Sequence, residues 1–273
     1  MRIIKAIFDF YIHASIHVAI AVYALVQLTY INLGFFEDAT VGYLAFFGTI
    51  VVYNFIKYGS KAKNYFFVEK SNEKIIQVFS ILCGCIGMFY ALGLSLNAMF
   101  LLMCLGIICM LYAVPIYMFK KRFREFNGIK LLIVAFVWTG MTVFLPVLNT
   151  KVQLDGNIII EAAQRFLFII VITLPFEIRD LHFDELSLGT IPQKIGTGNT
   201  KKLGLFFLIL FVLLELFKVG YTTLGWYIMI ILAIITTLLL FFSTANQSKY
   251  YSGFWVESLP ILWWGMVFLT TLV

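Results

Sequence analysis

The chain has 273 residues, of which 62% are hydrophobic and only 12% charged, with a mean hydropathy of +0.97. A balance this apolar excludes a soluble globular domain and requires a protein that crosses a membrane several times. The net charge of +6 would suit a nucleic-acid binder, but the basic residues flank apolar runs instead of forming a soluble patch, which excludes that class.

Apolar runs of about 20 residues recur along the whole length, each able to cross about 30 Å of hydrocarbon as a helix. They predict nine spans, at 7–33, 39–58, 74–93, 96–119, 129–148, 158–180, 203–220, 222–243 and 251–272. The first run follows Arg2 and Lys5 and continues past Tyr30 without a small-residue cleavage site, so it reads as a retained span. With the N-terminus in the cytoplasm, 17 of the 20 Lys and Arg residues fall on the cytoplasmic side, and only Lys151, Arg165 and Lys218 do not. The expectation is an all-α, multi-pass protein of a bacterial cytoplasmic membrane, folded as a single domain over residues 1–273.

Within span one, Asp9, His13 and His17 recur at every fourth residue, a polar stripe about 80° wide. It either lines a water-accessible cavity or makes a helix contact in which each imidazole bonds a neighbouring carbonyl or hydroxyl. Two histidines a turn apart are too few for a metal. Asn54, Lys57 and Lys61 form a basic strip at the cytoplasmic end of span two, suited either to an acidic partner or to anionic headgroups. The cysteines, Cys83, Cys85, Cys104 and Cys109, lie in apolar runs and read as packing residues. Glu215 and Lys218 are one turn apart and predict a helical ion pair. Glu257, near the start of the last span, either joins a cavity or only hydrogen-bonds there.

Acid concentrates in the stretch 175–196, PFEIRDLHFDELSLGTIPQKIG. Glu177, Asp180 and Asp184 are spaced three and four residues apart, and on a continuous helix they share a wedge of about 60°. Three converging carboxylates repel one another and need a cation. Either a hard divalent ion such as Mg²⁺ or basic side chains from elsewhere would supply it, or the stretch is a solvated loop paired with its own Arg179 and His182.

These residues resemble the UbiA-type intramembrane prenyltransferases. Glu177, Asp180 and Asp184 stand in the acidic positions of that family's second Asp-rich signature, Thr190, Pro192 and Gly196 resemble its tail, and LYAVPI around Tyr112 and Pro115 is similar to its motif after span four. The resemblance implies a nine-helix bundle around a cavity open to lipid. It also implies catalytic roles for Asp180 and Asp184, and Mg²⁺ held by Glu177, Asp180 and Asp184 against an isoprenoid diphosphate. The first Asp-rich signature departs: only Asn54 remains, and Phe55, Tyr58 and Ala62 occupy its three aspartate positions. Lys57 and Lys61 each fall one residue short of an aspartate position, about 100° away on a regular helix, and would reach the acidic cluster only if the helix unwound at Gly59.

Two functions follow from the resemblance. One is a divergent prenyltransferase in which Lys57, Lys61 or Arg179 contacts the diphosphate directly, with Asn54 beside them. The other is a non-catalytic member of the fold that binds a lipid or a partner membrane protein, its acidic strip satisfied by lysines. A transporter ranks last, because little charge is visible at mid-depth.

Overall fold

The computed structural model describes residues 2–59, 71–114, 128–183 and 188–272. Among them all regular structure is helical: α1 (Arg2–His13), α2 (Ile16–Leu33), α3 (Ala39–Tyr58), α4 (Ser71–Ala91), α5 (Leu96–Ala113), α6 (Ile129–Thr139), α7 (Leu145–Thr150), α8 (Gly156–Asp180), α9 (Ile191–Glu215), α10 (Thr223–Phe241) and α11 (Leu259–Thr270). A π-helical turn, Gly140–Phe144, joins α6 to α7, and a second, Tyr251–Val256, precedes α11. The described residues hold nine segments long and apolar enough to cross a membrane, in the predicted order. The chain is an integral, multi-pass membrane protein.

Burial grades the spans from axis to periphery. Two thirds of α2 and α8 is buried (67%), against 22% for α4, α5 and α9, so the first two form the axis and the others face lipid. Side chains from both axial helices meet in one core, where Leu25, Phe168 and Ile169 pack with Phe211 and Trp263. Polar residues close the short connections: Asp38 accepts from the Thr40 N–H at 2.8 Å and Asp155 from the Ile158 N–H at 2.9 Å, satisfying first-turn donors of α3 and α8.

Two predicted spans differ from the observed helices. The first divides at Ala14–Ser15, where Ser15 takes a left-handed conformation (φ 62°), so α1 is a separate amphipathic helix and the crossing begins at Ile16. The seventh begins earlier than predicted, at Ile191, because Pro192 fits the first helical turn and the Thr190 N–H donates to the Gln193 side chain at 2.9 Å. Gly196 (φ 77°) then breaks the helix before the apolar run.

Candidate functional site

The acidic end of α8 borders a cavity of about 200 Å³, lined by Glu177, Asp180 and Glu257 together with Lys130, Tyr53 and Trp138. Glu177, one turn before the helix end, is 4% exposed. Asp180 is the last residue of α8, and the Phe183 N–H bonds its carbonyl at 2.9 Å in a tight turn. The continuous helix assumed for the three-carboxylate wedge therefore stops before Asp184, which lies outside the described residues.

Arg179 folds back along the helix end. Its Nε and Nη2 donate to the two oxygens of Asp180 at 2.7 and 3.1 Å, and its guanidinium lies 5.2 Å from the Phe176 ring centroid. The neighbour pairing expected for a solvated stretch is thus present on the Arg179 side. Glu257 joins the cavity, the first of its two sequence readings.

Among the described residues of the basic strip, Asn54 and Lys57 bond the α1–α2 break and not the acidic end of α8. Helix α3 continues through Tyr58, and Gly59 keeps right-handed helical angles (φ −58°, ψ −38°), so the unwinding that would redirect Lys57 does not occur. Lys57 Nζ instead donates to Ser15 Oγ at 2.9 Å. Asn54 donates to the Ala14 carbonyl (3.1 Å) and to Ser80 Oγ (2.8 Å) while accepting from Ser15 Oγ (2.8 Å), and the Tyr58 hydroxyl donates to the His13 carbonyl at 3.2 Å. The α3 end is thereby committed to clamping the α1–α2 break, offsetting the cost of roughly 1–2 kcal/mol for a left-handed non-glycine residue. Lys57 still interacts electrostatically with Glu257 and Arg179. Lys61 lies outside the described residues.

A second cavity, about 120 Å³ and almost wholly apolar, lies deeper between α2, α3, α5 and α6, bordered by Val22, Leu44, Gly48, Leu102 and Gly106. A Cβ placed on Gly48 or Gly106 would meet nothing within 4 Å, because both glycines border open space. Tyr53 and Trp138 line both cavities, and Trp138 Nε1 donates to the Tyr53 hydroxyl at 2.9 Å. A charged chamber and an oily one thus share an aromatic wall.

The span-one stripe is divided by the break at Ser15. Asp9 accepts from the Tyr250 hydroxyl. His17 is buried and contacts the Tyr11 hydroxyl (2.6 Å), the Phe254 carbonyl (3.0 Å) and Ser258 Oγ (3.1 Å), which is the helix-contact alternative. The predicted Glu215–Lys218 pair is present at 2.9 Å. Sequence reading missed its extension: Lys218 also meets Glu161 at 2.8 Å, and Glu161 meets Arg165 at 2.8 Å, with both of the latter fully buried. The signal was available, since Glu161 and Arg165 are four residues apart on one helix face.

No family model matches this chain, and no curated protein matches it. Solved structures do. A UbiA homologue from Archaeoglobus fulgidus bound to GPP and Mg²⁺ superposes with a TM-score of 0.65 at 12% identity, covering 96% of this chain and 100% of that one. An apo UbiA homologue from Aeropyrum pernix K1 gives 0.62 at 14% identity, covering 96% and 98%. A digeranylgeranylglyceryl phosphate synthase gives 0.54 at 16%, covering 97% and 96%. At these identities the likeness speaks for architecture, and over nearly its full length this chain has the fold of the UbiA homologues.

Proposed function

We propose that this protein binds an isoprenoid diphosphate, with the prenyl tail in the apolar cavity and the anionic head in the charged one, at the cytoplasmic side of the membrane. The carrying observation is the shared Tyr53–Trp138 wall, which sets an oily chamber against one lined by Lys130, with Lys57 and Arg179 acting on its Glu257. Support for the ligand class comes from neighbours of the same fold solved with GPP and with DMAPP. The distribution of Lys and Arg supports the orientation.

Magnesium in the family arrangement does not fit the residues described. No three carboxylate, imidazole or thiolate groups among them gather around an ion position. The amide of Asn54 is used by Ala14 and Ser80. The head is therefore assigned to cations: the guanidinium of Arg179 can pair two phosphate oxygens at once, and lysine binds phosphate as a point charge.

Titrating full-length protein in nanodiscs with radiolabelled geranyl diphosphate tests this. Binding is expected to be saturable, to survive EDTA, and to weaken about 10- to 100-fold in Arg179→Gln, the loss of one charge-assisted contact of roughly 1.5–3 kcal/mol. Binding abolished by EDTA, or indifferent to Arg179→Gln, would overturn the metal-free head site. Prenyl transfer to an acceptor is the second reading, favoured by Asp180 and by the Thr190–Pro192–Gly196 tail, which builds the start of α9. Product formation that vanishes in Asp180→Ala would establish it.

A further inference from the structure

Helix α1 carries its apolar residues on one face. At about 100° per residue, Ile4, Ile7, Phe8, Phe10 and Tyr11 fall within a wedge of about 160°, while Lys5, Asp9 and His13 share the opposite stripe. The C-terminal half of the wedge is packed on the bundle. The Phe8 ring lies 5.5 Å from that of Tyr250 and 5.3 Å from that of Phe254, the Phe10 ring lies 5.7 Å from that of Phe79 in α4, and the Tyr11 hydroxyl is 2.6 Å from His17 Nδ1. The N-terminal half continues the same face past these contacts, and there Ile4 and Ile7 are 73% and 65% exposed.

The surroundings of α1 indicate what covers this face. The left-handed residue Ser15 uncouples α1 from the crossing that begins at Ile16, so α1 is free to take its own direction at the membrane surface. Helix α4, on which Phe10 packs, faces lipid, with Ile75 and Val78 exposed, so α1 is held beside the bilayer at the end of the bundle that carries the acidic stretch. The charge at the projecting end is basic: Lys5 is exposed and follows Arg2 in the sequence, whereas Asp9, further along, is engaged by the Tyr250 hydroxyl and by Lys249 at 3.4 Å. A short helix that is apolar on one side and basic on the other rests in the interface, its apolar side at the boundary of headgroups and acyl chains and its cations among anionic headgroups.

We propose that α1 docks on the surface of an anionic leaflet, with Ile4 and Ile7 inserted below the headgroups and Lys5 paired with lipid phosphates. This docking does not rest on the diphosphate reading, since none of these residues lines either chamber. It makes α1 a strap between the leaflet and the π-helical turn Tyr251–Val256, the segment that leads directly into Glu257 of the charged chamber.

Hydrogen–deuterium exchange of the full chain tests this, in nanodiscs of phosphatidylcholine with or without phosphatidylglycerol, sorted into those holding one copy and those holding two. In single-copy discs, exchange at residues 4–8 is expected to be about fivefold slower when phosphatidylglycerol is present, the effect of one lysine held near an anionic surface. The difference should vanish at about 1 M salt, where charges are screened within about 3 Å. Lys5→Glu should abolish most of it, and Ile4→Ser combined with Ile7→Ser should speed exchange in both bilayers. Residues 9–13, held by the bundle, report folding and should be unchanged in these variants, and Arg179→Gln should match the parent throughout. Equal rates in the two bilayers, or a difference undiminished in Lys5→Glu, overturn the proposal. Slow exchange found only in two-copy discs overturns it as well, because a second copy would then be the occupant of this face.

Discussion

Replacing Arg165 with methionine removes a cation of zero exposure from the axis of the bundle. Its guanidinium donates to the Leu25 carbonyl (2.8 Å), Thr142 Oγ1 (2.9 Å), Thr29 Oγ1 (3.2 Å) and Glu161 Oε1 (2.8 Å), and its Cζ lies 5.2 Å from the Trp263 ring centroid. It thereby ties α8 to α2 and to the π-helical turn after α6. Methionine fills much of the volume, so packing loss is small and electrostatics dominate the cost. Removing one partner from a buried ion pair costs about 3–5 kcal/mol, because the remaining charge stays buried. Lys218 softens that cost, since it bonds the other oxygen of Glu161 at 2.8 Å. About 3 kcal/mol is then the expected loss, or roughly 6–12 °C in the unfolding midpoint for a chain of this size. The assay is thermal unfolding of detergent-solubilised protein followed by tryptophan fluorescence. Lys218→Met should cost less, because Lys218 lies near the rim at 8% side-chain exposure and Glu215 can rehydrate. Arg165→Met combined with Glu161→Met should fall short of the sum of the single losses, since no unpaired charge then remains beside α2. A midpoint for Arg165→Met within about 2 °C of the parent, or additive single and double losses, would refute the reasoning.

Two smaller perturbations probe the other end of the bundle. Asn54→Leu removes three hydrogen bonds at the α1–α2 break, at about 1 kcal/mol each, and should lower the midpoint by roughly 6–12 °C; an unchanged midpoint would mean that the clamp contributes nothing. The Tyr250 hydroxyl, with help from Lys249, holds the Asp9 carboxyl below its ordinary value. Because the folded value is the lower one, the tie between α1 and Tyr250 is fully present above the unfolded value of about 3.9 and is lost as pH falls through the folded one. Trypsin cleavage after Lys5, sampled after brief exposure to each pH, should stay constant from about pH 8 to 5 and rise only in stronger acid. Tyr250→Phe should move that rise to higher pH, and coincident profiles for the two proteins would count against the tie.

Most of the bundle was legible because lipid imposes one rule on every span: backbone groups must be satisfied within the helix, so length and hydropathy suffice to find it. What escaped were features set by three-dimensional partners. The break at Ser15 carries no glycine or proline, and what holds it, Asn54 and Lys57, is some forty residues away. The second anomaly was partly visible: Arg165 and Lys218 violated the charge rule and Glu161 lies one turn before Arg165, but only the fold brings Lys218 onto Glu161. The acidic site was half legible. Glu177 and Asp180 do share a cavity, but a wheel drawn through Asp184 presumed a helix that ends at Asp180. Glu257 joined them from the other end of the sequence, where spacing carries no information about α8.

The end of α3 serves the α1–α2 break: Lys57 donates to Ser15 Oγ, the Tyr58 hydroxyl to the His13 carbonyl, and Asn54 to the Ala14 carbonyl. The chamber's own lining sets Glu177, Asp180 and Glu257 against Lys130, with Lys57 and Arg179 acting on Glu257 from outside it. A diphosphate entering such a chamber brings net negative charge, and it can be accommodated only if a cation changes partner. Arg179 is the one placed to do so: its bond to Asp180 is at the surface end of the helix, with side chains 29% and 25% exposed, where an ion pair contributes little and exchanges readily. In the proposed function, the guanidinium that pairs with Asp180 is the group through which an anionic head would be held.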